Sequence, residues 1–105
     1  MAFIGQNAAM AWAHWNSGNN IADSYNVSSV ARYSTGNFVV NLSITLPNSN
    51  YCVVGQASSS KSSNGVYLGS PWPRDTSSFY HASHWTNGNA YDLSHNWAAV
   101  FGDRN

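Results

Sequence analysis

From Phe38 to Leu46 every second residue is large and apolar: Phe38, Val40, Leu42, Ile44 and Leu46. The positions between them are Val39, Asn41, Ser43 and Thr45, mostly polar. Successive strand side chains point to opposite faces, so this alternation predicts a long strand with one buried and one wet face. Pro47 ends the run, having no N–H to give a ladder. After Pro47-Asn48-Ser49-Asn50 comes a second β-rich stretch, Tyr51-Cys52-Val53-Val54-Gly55. The spacing predicts that it returns antiparallel beside the first.

The flanking chain is read in the same way. Met10–Trp15 is an expected strand, with Ala11, Ala13 and Trp15 alternating against Trp12 and His14, and Asn16–Asn19 is the turn after it. Tyr25–Tyr33 is the next strand, and Ser34-Thr35-Gly36 a hairpin loop whose glycine can take a positive φ. Ser58–Asn64 reads as a polar loop and Gly65–Leu68 as a short strand. Gly69–Ser78 carries Pro71 and Pro73, too many prolines for a central strand. Phe79–Trp85 and Trp97–Phe101 complete the set, with Asn87-Gly88 as a turn. About seven strands at this spacing predict an all-β, antiparallel β-sandwich, jelly-roll-like, as one domain over 1–105. Residues 1–9 are expected to form an arm that packs on another subunit or leads from a longer chain. Met1 is either a natural start or an added one, the second being the expectation.

Charge limits the partners. The chain has 105 residues, one lysine, three arginines, four aspartates, no glutamate and zero formal net charge. That leaves no basic stripe for a phosphate backbone, so nucleic acid is excluded as the expected partner. Only 8% of residues are charged, and little self-repulsion opposes association. No apolar run approaches the roughly 20 residues of a membrane-spanning helix, and no signal-peptide pattern opens the chain. Cys52 stands alone, so no intrachain disulfide can form, and it is read as a small buried hydrophobe.

Catalytic readings are weak. Glycoside hydrolysis needs two carboxylates roughly 5 to 10 Å apart, and the four aspartates are scattered turn formers. No G-x-S-x-G elbow accompanies the serines and histidines, so no enzyme activity and no cofactor are expected. His81 and His84 differ in strand parity and cannot share a metal unless the strand bends, while His14 is distant in sequence. Aromatic polar packing is the preferred reading, although three copies of one histidine on a trimer axis would make a metal site.

Sugar recognition suits the loops better, because apolar C–H faces stack on aromatic rings and hydroxyls bond planar polar groups. Trp72 lies between two stiffening prolines with Arg74 and Asp75 beside it. These three, with His81, Asn87 and Tyr91, are the candidate ligand-binding residues. Trp72 reads equally as the plug of a subunit seam. Trp85 and Trp97 sit in strand patterns and are read as core.

The run Asp23–Val30 (DSYNVSSV), then Tyr33–Asn41 (YSTGNFVVN), Leu46–Tyr51 (LPNSNY) and Val53-Val54-Gly55 resembles the carboxy-terminal domain of many bacteriophage tail fibre proteins. Ala11–Asn16 matches that family's opening less closely, and Ala99–Gly102 matches its usual ending. The resemblance covers most of the chain but rests on strands and turns, so it carries scaffold and no binding residues. It implies a homotrimeric, virion-borne, extracellular fibre tip that attaches to the host surface. The expected partner is a cell-surface glycan or an outer-membrane protein. A trimerisation cap without a ligand and a free-standing lectin-like module are the alternatives.

Overall fold

A computed structural model describes residues 8–58, 67–85 and 89–103. The described chain forms eight strands: β1 (Ala11–Trp15), β2 (Ile21–Tyr25), β3 (Val27–Ser34), β4 (Asn37–Leu42), β5 (Cys52–Ser58), β6 (Tyr67–Asp75), β7 (Ser78–Trp85) and β8 (His95–Phe101). They make two four-stranded sheets, ordered β2-β1-β8-β5 and β3-β4-β7-β6, and every pairing is antiparallel. An all-β sandwich is therefore present. It is not wound as a jelly roll, in which successive strands change sheets. Here β1–β2, β3–β4 and β6–β7 are neighbours within one sheet.

The alternation of Phe38, Val40 and Leu42 buries all three, and Leu46 is buried beyond them. The core joins them to Trp15, Phe79, Val100 and Tyr51, with Trp15 meeting Phe38 edge-on at 5.9 Å. The strand itself stops at Leu42, four residues earlier than the alternation predicts. There Ser43 N–H turns to the Asn26 carbonyl (3.0 Å) and Leu46 N–H to the Thr76 carbonyl (2.8 Å), so loops take over the backbone bonds. Asn26 supports this corner in the left-handed region (φ 57°), and its amide donates to the Met10 carbonyl.

Strand β5 also has a different neighbour from the expected one. It does not return beside β4 but crosses to the other sheet and pairs with β8, Val53 opposite Val100. The free side of β4 is taken by β7, Phe38 opposite His81. Local alternation specifies a strand's faces and leaves its neighbour open. Tyr51 anchors the crossing, its buried hydroxyl within 2.6 Å of the Ser78 carbonyl and 2.8 Å of the Asp75 carbonyl. Burial pushes that phenol up to about 12.

The proline-rich stretch is also a strand. β6 runs through Pro71 and Pro73 to Asp75, and it can do so because it is an edge strand that needs N–H groups on one side only. Cys52, read as buried, is exposed. The 58–64 loop and the first seven residues lie almost entirely outside the described residues.

Candidate functional site

Two exposed aromatic faces lie on opposite sides of the sandwich. The first is the outer face of the β2-β1-β8-β5 sheet. Register places Tyr25, Trp12, Ala99 and Val54 in one row across it, and Asp23, His14, Trp97 and Gln56 in the next. Large rings thus flank small residues. The result is a depression of about 370 Å³ walled by Trp12, Trp97 and Val54 over Gly55 and Ala99, with Gln56 at its edge. None of its lining residues is charged.

Trp97 is held in place from one side. The rings of His14 and His95 stack on it at 4.9 and 5.5 Å, and His14 Nε2 lies 3.2 Å from His95 Nδ1 in a hydrogen bond. These two histidines are far apart in sequence, and only the β1–β8 pairing joins them. Trp97, expected in the core, is 38% exposed, and Trp12 is 37% exposed. The signal for Trp12 was present, because Ala11, Ala13 and Trp15 fill the inner face and leave it the outer one. For Trp97 the same signal came from Ala98 and Val100, obscured by the polar Asn96 that shares their buried face. The side chain of Trp85 lies outside the described residues.

The second face is the outside of the β3-β4-β7-β6 sheet. Trp72 pairs with Tyr80 across β6 and β7, their rings 5.1 Å apart, and Tyr33 meets Tyr80 edge-on at 5.8 Å. Arg74 Cζ sits 5.9 Å from the Tyr80 ring, an electrostatically favourable place for a cation. Trp72 is 43% exposed. Of the expected site residues, Trp72 and Arg74 are brought together here.

Asp75 is adjacent but already engaged. Ser77 N–H (2.8 Å), the Ser78 hydroxyl (2.9 Å) and one Arg74 N–H (3.2 Å) donate to its carboxylate. Those bonds, the Ser77 amide first, lower its pKa, so Asp75 builds the β6–β7 turn. Tyr91 is exposed on a different loop, where its N–H donates to the Ser83 carbonyl beside Gly36. Asn87 lies outside the described residues.

His81 is the clear departure. It points into the sandwich, 1% exposed, edge-on to Trp15 at 4.9 Å, and no surface ligand reaches it. Its Nδ1 is 3.5 Å from the Ser83 hydroxyl, which donates to the Asn96 side-chain oxygen. The Asn96 amide donates in turn to the Leu93 carbonyl at 3.2 Å. Nε2 makes no well-formed hydrogen bond, so the Gln56 and Trp97 carbonyls only partly offset burial, which pulls the imidazole down to about 4. His81 is thus a neutral core residue. His81 and His84 do differ in face, as their parity requires. Among the described residues no three His, Cys, Asp or Glu side chains gather as a metal site.

No protein-family model matches this chain, and no curated protein or solved structure matches it either.

Proposed function

We propose that this β-sandwich is a receptor-binding module of the tail-fibre type, attaching reversibly to a glycan of a host-cell surface. The observation that carries the reading is the open, uncharged depression between Trp12 and Trp97. Concave sites with aromatic walls and a few polar groups are the usual form of a small-ligand site. A pyranose ring offers an apolar face to the indoles and hydroxyls to Gln56 and the histidine pair. Because the His14–His95 stack fixes Trp97 before a ligand arrives, little side-chain entropy is lost on binding. The resemblance to tail fibre tips supplies the biological setting, and assembly as a homotrimer would multiply weak contacts into firm attachment.

The test is binding to an array of neutral bacterial surface glycans, with the Trp12→Ala and Trp97→Ala variants beside the parent. Each truncation is expected to weaken binding about tenfold or more, as aromatic anchors at binding hot spots do. Melting curves should move little, since neither ring is buried. Binding that survives both substitutions would overturn the assignment.

A second reading has its own observation. Tyr25 and Val54 are each 51% exposed on the same face, and a subunit seam would cover them. Light scattering on the parent and on Val54→Asp separates the two. A trimer that Val54→Asp dissociates assigns this face to assembly.

A further inference from the structure

We propose that the outer face of the β3-β4-β7-β6 sheet is a second saccharide subsite, selective for a sugar that carries a carboxylate. The inference rests on the attachment reading and adds a ligand class and a separate location to it. The stacking surface is the Trp72–Tyr80–Tyr33 row, whose rings are 5.1 and 5.8 Å apart, Trp72 and Tyr33 exposed and Tyr80 half-buried between them. Pro71 and Pro73 flank Trp72 along the edge strand and restrict its backbone.

The charge comes from Arg74. Its Nη1 donates to Asp75 (3.2 Å) and to the Ser78 hydroxyl (3.2 Å), which pins the guanidinium over Tyr80. Among the described residues its Nε and Nη2 have no partner. These two nitrogens form the side-on edge of the guanidinium, the one whose parallel N–H bonds match a carboxylate. The same sheet shows that edge in use. Arg32 Nε donates to Asp92 at 3.1 Å and Arg32 Nη2 meets the other carboxylate oxygen at 3.0 Å. Arg32 is satisfied by the chain's own aspartate, and Arg74 presents the equivalent edge to solvent beside an aromatic platform.

Asp75 does not cancel this edge. Two serines and Nη1 hold its carboxylate in the turn, on the Nη1 side of the guanidinium. A uronic or sialic acid residue would therefore lay its ring on Trp72 and Tyr80 and place its carboxylate on Nε and Nη2. The first face offers nothing of this kind, because no residue lining its depression is charged.

The experiment is saturation-transfer NMR and competition binding with methyl glucuronoside, its carboxamide and N-acetylneuraminic acid. The carboxamide keeps the ring and removes the charge. The acids are expected to bind at least tenfold more tightly than the amide, with the preference weakening in high salt. Arg74→Gln and Arg74→Lys should both abolish it, lysine because it keeps charge without the planar fork. Trp72→Ala should weaken both ligands, and Trp12→Ala neither. Circular dichroism of Arg74→Gln should match the parent, since Asp75 keeps its serine donors. Equal affinity for acid and amide, or an acid preference that Arg74→Gln leaves intact, overturns this inference. Neutral glycans still captured through Trp12 and Trp97 would then leave the attachment reading standing. Loss of binding on both faces would remove both.

Discussion

The imidazole of His81 lies so close to Gly69 that a Cβ on the glycine would stand 2.7 Å from Nε2. The same Cβ would meet the Gln56 carbonyl carbon at 2.8 Å and its Cα at 2.9 Å. On the opposite side, a Cβ at Gly55 would be 3.0 Å from Nε2. β5 and β6, edge strands of different sheets, thus close on one another because two glycines leave room for a buried ring. Gly69→Ala would have to push either the imidazole or the β5 backbone. The expected cost is about 1–3 kcal/mol, as for overpacked cores. Thermal unfolding should show a loss of roughly 4–8 °C for each kcal/mol. An unchanged melting temperature would mean the strands are not in contact there.

His81 also gives the fold a pH dependence. Its folded pKa is depressed from 6.5 to about 4, so between those values the unfolded chain binds a proton that the folded one does not. The stability it contributes is complete above pH 6.5 and is lost as pH falls toward 4, by on the order of 3 kcal/mol in all. Below that, the folded state is protonated too and the His81 contribution levels off. Urea midpoints at pH 7.5, 6, 5 and 4.5 should fall steadily for the parent and fall less for His81→Gln. A flat parent profile would show that the imidazole is not held neutral.

The Ser83 hydroxyl and Asn96 depend on one another in the same interior, each fully buried. Ser83→Ala removes the donor to the Asn96 oxygen and is expected to cost about 1–3 kcal/mol, the penalty of an unsatisfied buried group. In a double-mutant cycle with Asn96→Ala the second substitution should cost less than it does alone. Strict additivity would show that the two side chains do not act on each other.

Cys52 is exposed at the start of β5. A thiol reagent such as Ellman's should therefore modify the native protein fully without denaturant. Protection that disappears on dilution would place this strand in a contact between copies, in line with the seam reading of that face.

The limits of the sequence show most plainly in β7 and β8. In each the inner face carries polar residues, His81 and Ser83 in one and Asn96 in the other, while Tyr80 and Trp97 face outward. Phe79 shares the face of His81, and Ala98 and Val100 share that of Asn96, so alternation finds the inner faces but gives no reason for the polar side chains buried on them. The polar groups are tolerated because most of them satisfy one another across the two strands, a fact no single strand contains. The candidate site divides similarly. Trp72 and Arg74 were legible as a stiffened aromatic–cationic pair, and their partner Tyr80 came only from register. Trp12 and Trp97 are 85 positions apart in number, and the depression between them exists only because β1 pairs with β8.

The sequence by itself determined that the chain is built of strands, where most of them begin, and that Phe38, Val40 and Leu42 form part of its core. It did so because side-chain alternation and turn chemistry act within a few residues. Tertiary structure alone decided that β5 leaves β4 for β8, that an imidazole is walled in by two glycines, and that two aromatic faces look outward. These outcomes depend on backbone bonds and volumes shared between distant segments. Such pairings are settled only when both sheets are packed together.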